Sequence, residues 1–273
     1  MRREELRQRK LRVARSADEG VRFLPASDQS LMVYFGERIS LEANARVVKF
    51  LRLLEREPIP AVRNLHPGYA SVLVKFDALR STHAEMERAL RGYSARLESV
   101  KTEAGRVVQV PVCYGGEFGP DMSDVCELHG LTAEEIVERH SGAEYLVYFL
   151  GFVPGFAYLG RSGGERAAPL RGQAGRSLNV SFDPQGKSAL QGIPTTPRLA
   201  TPRKKVPVGS VGIAGEQTGV YPFATPGGWR LIGRTPMKMF HAAEASSALA
   251  IGDRVRFVAI SAGRFAELEA GAA

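Results

Sequence analysis

Cysteine is scarce in this chain: Cys113 and Cys126 are the two in 273 residues. Two are too few for a disulfide scaffold, and even with His129 they leave a zinc site without a fourth ligand at a sensible spacing, so ordinary packed thiols and no metal centre are expected. Long hydrophobic runs are missing as well. The longest apolar stretch, Tyr145 to Tyr158, is interrupted by Gly151, Pro154 and Gly155, well short of the roughly 20 residues that cross a bilayer. The amino terminus is basic but contains Glu4 and Glu5 and has no apolar run after its charges, unlike a secretory signal. No membrane partner and a cytoplasmic location are therefore expected. Catalytic signatures are also few, with no His-Glu-x-x-His and no Gly-x-Gly-x-x-Gly after a strand. The nearest phosphate-loop segment, Ser181 to Ser188, has Ser181 in place of the first glycine and Pro184 where a backbone donor is needed, and reads better as a surface turn.

Positive charge is present in excess but unevenly. Seven Lys or Arg against two Glu between Met1 and Arg15 supply +5 of the net +8. No aromatic residue is interleaved among them, so residues 1–20 read as a solvated basic tail and no nucleic-acid partner is expected. The chain as a whole, 44% hydrophobic and 24% charged, has the composition of a globular protein long enough for two domains.

Periodicity divides the chain beyond that tail. Leu31 to Phe35 reads as a strand. Ser40 offers a helix cap ahead of Val47, Val48, Leu51 and Leu54 at helical spacing, and Pro58 and Pro60 stop the helix. Ala61 to Leu65 and Tyr69 to Phe76 flank a Pro67-Gly68 turn as a hairpin. Thr82 and Glu85 form a capping box before Met86, Leu90, Tyr93 and Leu97. A strand at Val107 to Val112 completes a β-α-β-β-α-β order, that of a ferredoxin-like domain. Further on, Thr132 and Glu135 cap a short helix ending near His140, and Tyr145 to Phe149 reads as a buried strand. Short apolar runs at Val206 to Ile213, Trp229 to Ile232 and Arg254 to Ile260, joined by Gly and Pro turns, point to a sandwich or closed barrel. The Gly-, Arg- and Ser-rich segment 161–192, with one strand at Ser177 to Phe182, reads as a long loop or insertion.

Thr195 to Pro236 is the most unusual stretch. Thr196-Pro197-Arg198 and Thr201-Pro202-Arg203 would hold two guanidinium groups on stiff turns, an arrangement suited to a carboxylate or phosphate. Gly227 and Gly228 would let backbone amides approach a ligand, and Gln217, Thr218 and Tyr221 add neutral donors and acceptors. The alternative is that glycines and prolines merely shape barrel turns, Trp229 is core and the arginines are solvated. Among the histidines, His83, His140 and His241 are expected at the surface, His66 lies in a turn, and His129 is retained as a site candidate.

Pro111 to Asp121, Leu150 to Gly160, the two Thr-Pro-Arg units, Val208 to Pro222 and Thr225 to Pro236 together resemble the KipI/PxpB family, whose members are also known as allophanate hydrolase subunit 1 and as the B component of 5-oxoprolinase. The resemblance spans about Leu31 to Ile260. It implies an α+β chain, with a ferredoxin-like domain at 21–106 and a cyclophilin-like β-barrel at 107–265. It also implies two partner proteins, one PxpC-like and of related barrel fold, the other LamB/YcsF-like. Together the three would convert 5-oxo-L-proline, ATP (with Mg2+) and water to L-glutamate, ADP and phosphate. Arg198, Arg203 and Gln217 would then be catalytic, and Thr218, Tyr221, Gly227, Gly228, Trp229 and Phe156 substrate-binding. About thirty extra residues before the Thr-Pro-Arg units depart from the family pattern. Other readings are a KipI-like inhibitor of a sporulation histidine kinase, a prolyl isomerase, and urea or allophanate chemistry.

Overall fold

The structure is a computed structural model and describes residues 20–101, 105–162, 168–169 and 194–271. The basic tail to residue 19, the Ser177 to Phe182 strand and the Ser181 to Ser188 loop lie outside those residues. The chain divides into two compact units, the first built from the amino-terminal hundred residues with a short piece near residue 168, the second from the rest.

In the first unit, β1 (Arg22–Ser27), β2 (Ser30–Tyr34) and the two-residue β3 (Arg38–Ile39) lead into α1 (Leu41–Arg56), followed by β4 (Val62–Pro67), β5 (Ser71–Phe76) and α2 (His83–Ser94). The caps act as expected. Ser40 accepts the Ala43 amide, and Thr82 and Glu85 satisfy one another's backbone donors in a capping box. On β5, Val72, Val74 and Phe76 are fully buried while Ser71, Leu73 and Lys75 are not, the period of two that gives a sheet one covered face. α1 packs on β5 through its Val47, Phe50, Leu51 and Leu54 stripe, and α2 packs on β2.

The sheet is antiparallel with order β1-β2-β5-β4, and here the expected β-α-β-β-α-β order fails. The strand at Val107 to Val112 is not part of this sheet. The position beside β2 is taken by β1, which carries Pro25 and lacks alternation, and a proline is tolerated on such an edge.

The second unit is a closed barrel. Its elements are β6 (Val107–Tyr114), α3 (Met122–His129), α4 (Ala133–Ser141), β7 (Glu144–Leu150), β8 (Ala157–Arg161), β10 (Arg203–Val206), β11 (Ser210–Ala214), β12 (Gln217–Val220), β13 (Thr225–Gly227), β14 (Arg230–Arg234), the short pair β15 (Phe240–His241) and β16 (Ser246–Ser247), β17 (Arg254–Ala259) and α5 (Ala262–Gly271). The intervening β9 (Ala168–Pro169) belongs to the first unit and pairs with β3. Seven strands close in the order β11-β12-β8-β7-β17-β6-β14. Six of the seven contacts are antiparallel and one, β17 with β6, is parallel, running from Arg254↔Val107 to Ala259↔Val112. All seven strands send side chains into one cluster, including Val110, Val147, Leu159, Ile213, Val220, Ile232 and Phe257. No helix among the described residues is long and apolar enough to cross a membrane.

Candidate functional site

Two facing glycines shape one side of the barrel wall. Gly212 on β11 pairs with Gly219 on β12. A Cβ on Gly219 would stand 2.9 Å from the Ala157 carbonyl oxygen and 3.1 Å from both Phe156 Cζ and Trp229 Cζ3; one on Gly212 would stand 3.1 Å from Trp229 Cβ and 3.3 Å from Tyr221 Cε2. The wall is bare there because aromatic rings fill the space. Phe156 meets Tyr221 and Trp229 edge to face at 5.1 and 5.5 Å, the geometry favoured by ring quadrupoles. With Val206, Ala214 and Leu231 they form a second buried cluster, on the face of β11, β12 and β14 opposite the barrel interior. Half-buried Tyr158 lies against Phe156 and Trp229 and stacks on Phe149 with ring centroids 4.4 Å apart.

The Thr-Pro-Arg segment is tied to this cluster. The Thr196 and Gly215 backbones exchange hydrogen bonds, the Leu199 amide donates to the Gly228 carbonyl at 2.8 Å, and Arg203 pairs with Gly227 where β10 meets β13. The side chain of Arg230 donates to the Pro197 carbonyl and to Asp124.

The two arginines of the segment are not equivalent. Arg203 Nη2 donates to Asp121 Oδ1 at 2.5 Å, and Asp121 Oδ2 accepts the Leu231 amide at 2.6 Å. The Asp121 side chain is 5% exposed and that of Arg203 29%, so this is a largely desolvated charge-assisted pair. Arg203 Nη1 is buried and has no hydrogen-bond partner. Arg198 is exposed and forms no salt bridge among the described residues. Its charge nonetheless reaches the aromatic cluster. Burial raises the Tyr221 phenol above its ordinary range, opposed by the Trp229 amide and then by the charges of Arg198 and Arg203; burial likewise raises Tyr158, opposed by Arg198. The two-arginine clamp expected from the Thr-Pro-Arg units thus becomes one compensated arginine with a spare donor and one uncompensated arginine, both acting on the buried Tyr221 phenol.

The remaining expected site residues divide between two places. Phe156, Tyr221 and Trp229 are buried in the aromatic cluster; Gly227 sits beneath the Tyr221 hydroxyl and Gly228 beside Pro202. Gln217 and Thr218 instead line a narrow cleft with His140, Arg161, Thr196 and Glu216. Thr218 is buried, and its hydroxyl donates to the Gly212 carbonyl. With that one proton used, His140 Nε2 must donate to Thr218 Oγ1 at 2.9 Å, which leaves Nδ1 to accept from the Tyr114 hydroxyl at 2.7 Å. His140 is therefore not at the surface as expected: it is fully buried, and burial holds it neutral, with its pKa lowered to about 3. Its position four residues after buried Ile136 on α4 was the available signal. His129 Nε2 meets Thr196 Oγ1 at 2.9 Å; its pKa is lowered by burial, then by Arg230 and Arg139. Asp121, assigned no role from sequence, is the residue that reasoning missed. Both cysteines are unpaired, and no cluster of His, Cys, Asp and Glu able to hold a metal occurs among the described residues.

The family described as carboxyltransferase domain, subdomain C and D, matches residues 21–177 and 188–250. Over 249 residues, 86% of this chain and 90% of the relative, the chain is 36% identical to the B subunit of 5-oxoprolinase from Bacillus subtilis. The chain belongs to the family of 5-oxoprolinase B subunits. The solved structure of the protein TTHA0988 superposes on 85% of the chain with a TM-score of 0.65 at 32% identity, and the matched part is 40% of that longer chain. The urea amidolyase of Kluyveromyces lactis shares the fold, with a TM-score of 0.68 at 16% identity over 90% of this chain and 15% of its own. In this family member the break in the family match, 178–187, falls inside the segment 161–192, whereas Asp121, Arg198, Arg203, His140 and the aromatic cluster all lie in matched sequence.

Proposed function

We propose that this chain is the B subunit of a 5-oxoprolinase, working with a PxpC-like partner and a LamB/YcsF-like partner to open 5-oxo-L-proline to L-glutamate at the expense of ATP. The observation that carries the reading is uncompensated Arg198, with Arg203, near the buried phenol of Tyr221 and the half-buried one of Tyr158, in a chain that is 36% identical to a protein named as the B subunit of 5-oxoprolinase. A lactam is a poor electrophile, and ATP supplies the means of turning its oxygen into a leaving group. The contribution of this chain would be to hold anionic charge on Arg198 and the spare Nη1 of Arg203 while the aromatic cluster keeps water out. Asp121 and Asp124 are both engaged by arginines, so magnesium would be held by nucleotide phosphates and partner residues. Gln217 and Thr218 would act from the cleft beside His140. A cytoplasmic hetero-oligomer, a ferredoxin-like reading of the first unit and a cyclophilin-like reading of the barrel belong to the same proposal. The split β2-α1-β4 crossing around β5 supports the ferredoxin-like part.

The test is glutamate release from 5-oxoproline and ATP by this chain alone, by the two partner proteins together, and by all three. Release only from the complete mixture is expected. Absence of release with folded partners would refute the proposal and leave another amide substrate or kinase inhibition as the function to examine.

A further inference from the structure

We infer that Arg198, the spare Nη1 of Arg203 and the Tyr221 hydroxyl form a seat for one carboxylate, and that Asp121 is the positioning residue that aims Arg203 into it. The inference deepens, and rests on, the function proposed above.

Three features of the site lead to it. The first is an inventory of donors. Arg203 spends Nη2 on Asp121 and leaves Nη1 buried and unbonded, a state that costs free energy unless a ligand oxygen completes it. The Tyr221 ring lies close enough to Gly227, the ladder partner of Arg203, that a Cβ there would be 2.5 Å from its hydroxyl. The backbone on either side of Arg198 is fixed against the same turn, Leu199 by its 2.8 Å bond to the Gly228 carbonyl and Pro197 by the Arg230 side chain, and its charge reaches the same phenol.

The second is charge. Asp121 has both oxygens occupied, one by Arg203 and one by the Leu231 amide. Its charge is neutralised by Arg203 at close range, so the pair as a whole adds little net charge to the site. The site therefore presents one net positive charge, that of Arg198, which matches a carboxylate better than a polyphosphate. The third is shape. Tyr158, half-buried and stacked on Phe149, offers an apolar flank to a small ring attached to that carboxylate. Lys204 and Lys205 follow on β10, both exposed, and make polyphosphate the competitor to be tested.

The experiment uses the full chain and, separately, the assembled complex. Calorimetric titration of the full chain compares 5-oxoproline, 2-pyrrolidinone, which lacks the carboxylate, and inorganic pyrophosphate. Wild type is expected to bind the first and not the second. Arg198→Gln, at an exposed position that leaves folding intact, should weaken 5-oxoproline about tenfold or more, the value of one charge-assisted contact. In the complex it should raise KM for 5-oxoproline by the same factor and raise KM for ATP by much less. Asp121→Asn, measured well below its melting temperature, should weaken 5-oxoproline while strengthening pyrophosphate, a reversal of preference that simple loosening of the fold would not produce. Unchanged 5-oxoproline binding in Arg198→Gln, or tighter binding of pyrophosphate than of 5-oxoproline by wild type, overturns the seat even if the complex is active. An inactive complex refutes the 5-oxoprolinase reading but not the seat, which then stands or falls on the titration; failure of the full chain and the complex alike to take up the carboxylate removes both.

Discussion

Replacing Arg203 with methionine isolates the energy of its pair with Asp121. Methionine keeps an unbranched aliphatic stem but leaves a carboxylate, 5% exposed, with only the Leu231 amide as donor. Breaking a fully buried pair from one side costs about 3–5 kcal/mol. Arg203 is 29% exposed, so water reaches part of the vacated space, and we expect about 2–3 kcal/mol. At about 2–4 °C per kcal/mol for a domain of this size, the melting temperature should fall by roughly 4–12 °C. The assay reads the right unit, because the single tryptophan of the chain, Trp229, is buried in the adjoining cluster, and its fluorescence follows barrel unfolding. Asp121→Asn removes the charge that Arg203 neutralises, so adding Arg203→Met in that background should cost about 1 kcal/mol or less. A shift below about 2 °C for Arg203→Met alone, or strict additivity of the two changes, would refute the desolvated pair as a stabilising element.

Gly219→Ala should destabilise the barrel by about 1–3 kcal/mol through overpacking, since the new Cβ would stand 2.9 Å from a backbone oxygen; chemical denaturation followed at Trp229 checks this, and an unaffected midpoint contradicts the bare-wall account. Stability should also depend on His140. Its folded pKa of about 3 lies below the unfolded value near 6.5, so the unfolded chain takes up a proton that the folded one refuses. Stability present above about pH 6.5 is then lost as pH falls toward 3, at up to about 1.4 kcal/mol per pH unit. His140→Gln should flatten the slope measured between about pH 6.5 and 5, and an identical slope in both proteins would exclude a buried neutral imidazole. Thr132→Ala removes half of the capping box on α4 and should cost about 1 kcal/mol in the same denaturation assay.

What sequence could reveal here follows the range of the interactions. The caps at Ser40, Thr82 and Thr132 act over three residues, and the alternation of Val72, Val74 and Phe76 over five, so both were legible. Residues Arg22–Ser27 were not, because Pro25 and the absent alternation hide an edge strand whose partner alone makes it extended. The assignment of Val107 to Val112 failed for a related reason: its parallel neighbour in space, β17, is almost the whole barrel away in sequence, and a run of apolar residues does not say which sheet it joins. In the site, the Thr-Pro-Arg units drew the eye to Arg198 and Arg203, but the asymmetry between them comes from Asp121, 82 positions earlier. Gly212 and Gly219 serve as clearance for rings that come from other parts of the chain, which no local pattern announces.

The parallel seam between β6 and β17 also sets a schedule. Arg106 and Asp253, which clasp beside that seam through a 2.7 Å contact, are 147 positions apart, and β17 is the last barrel strand in chain order. During synthesis every other barrel strand emerges first and waits as an open six-stranded sheet, with β7 and β6 exposing unpaired edges, until the last strand is released. Such late, non-local closure makes folding slow and leaves the nascent chain open to edge-to-edge association. A stop codon shortly before Arg254 would therefore not trim the protein; it would leave it unsealed.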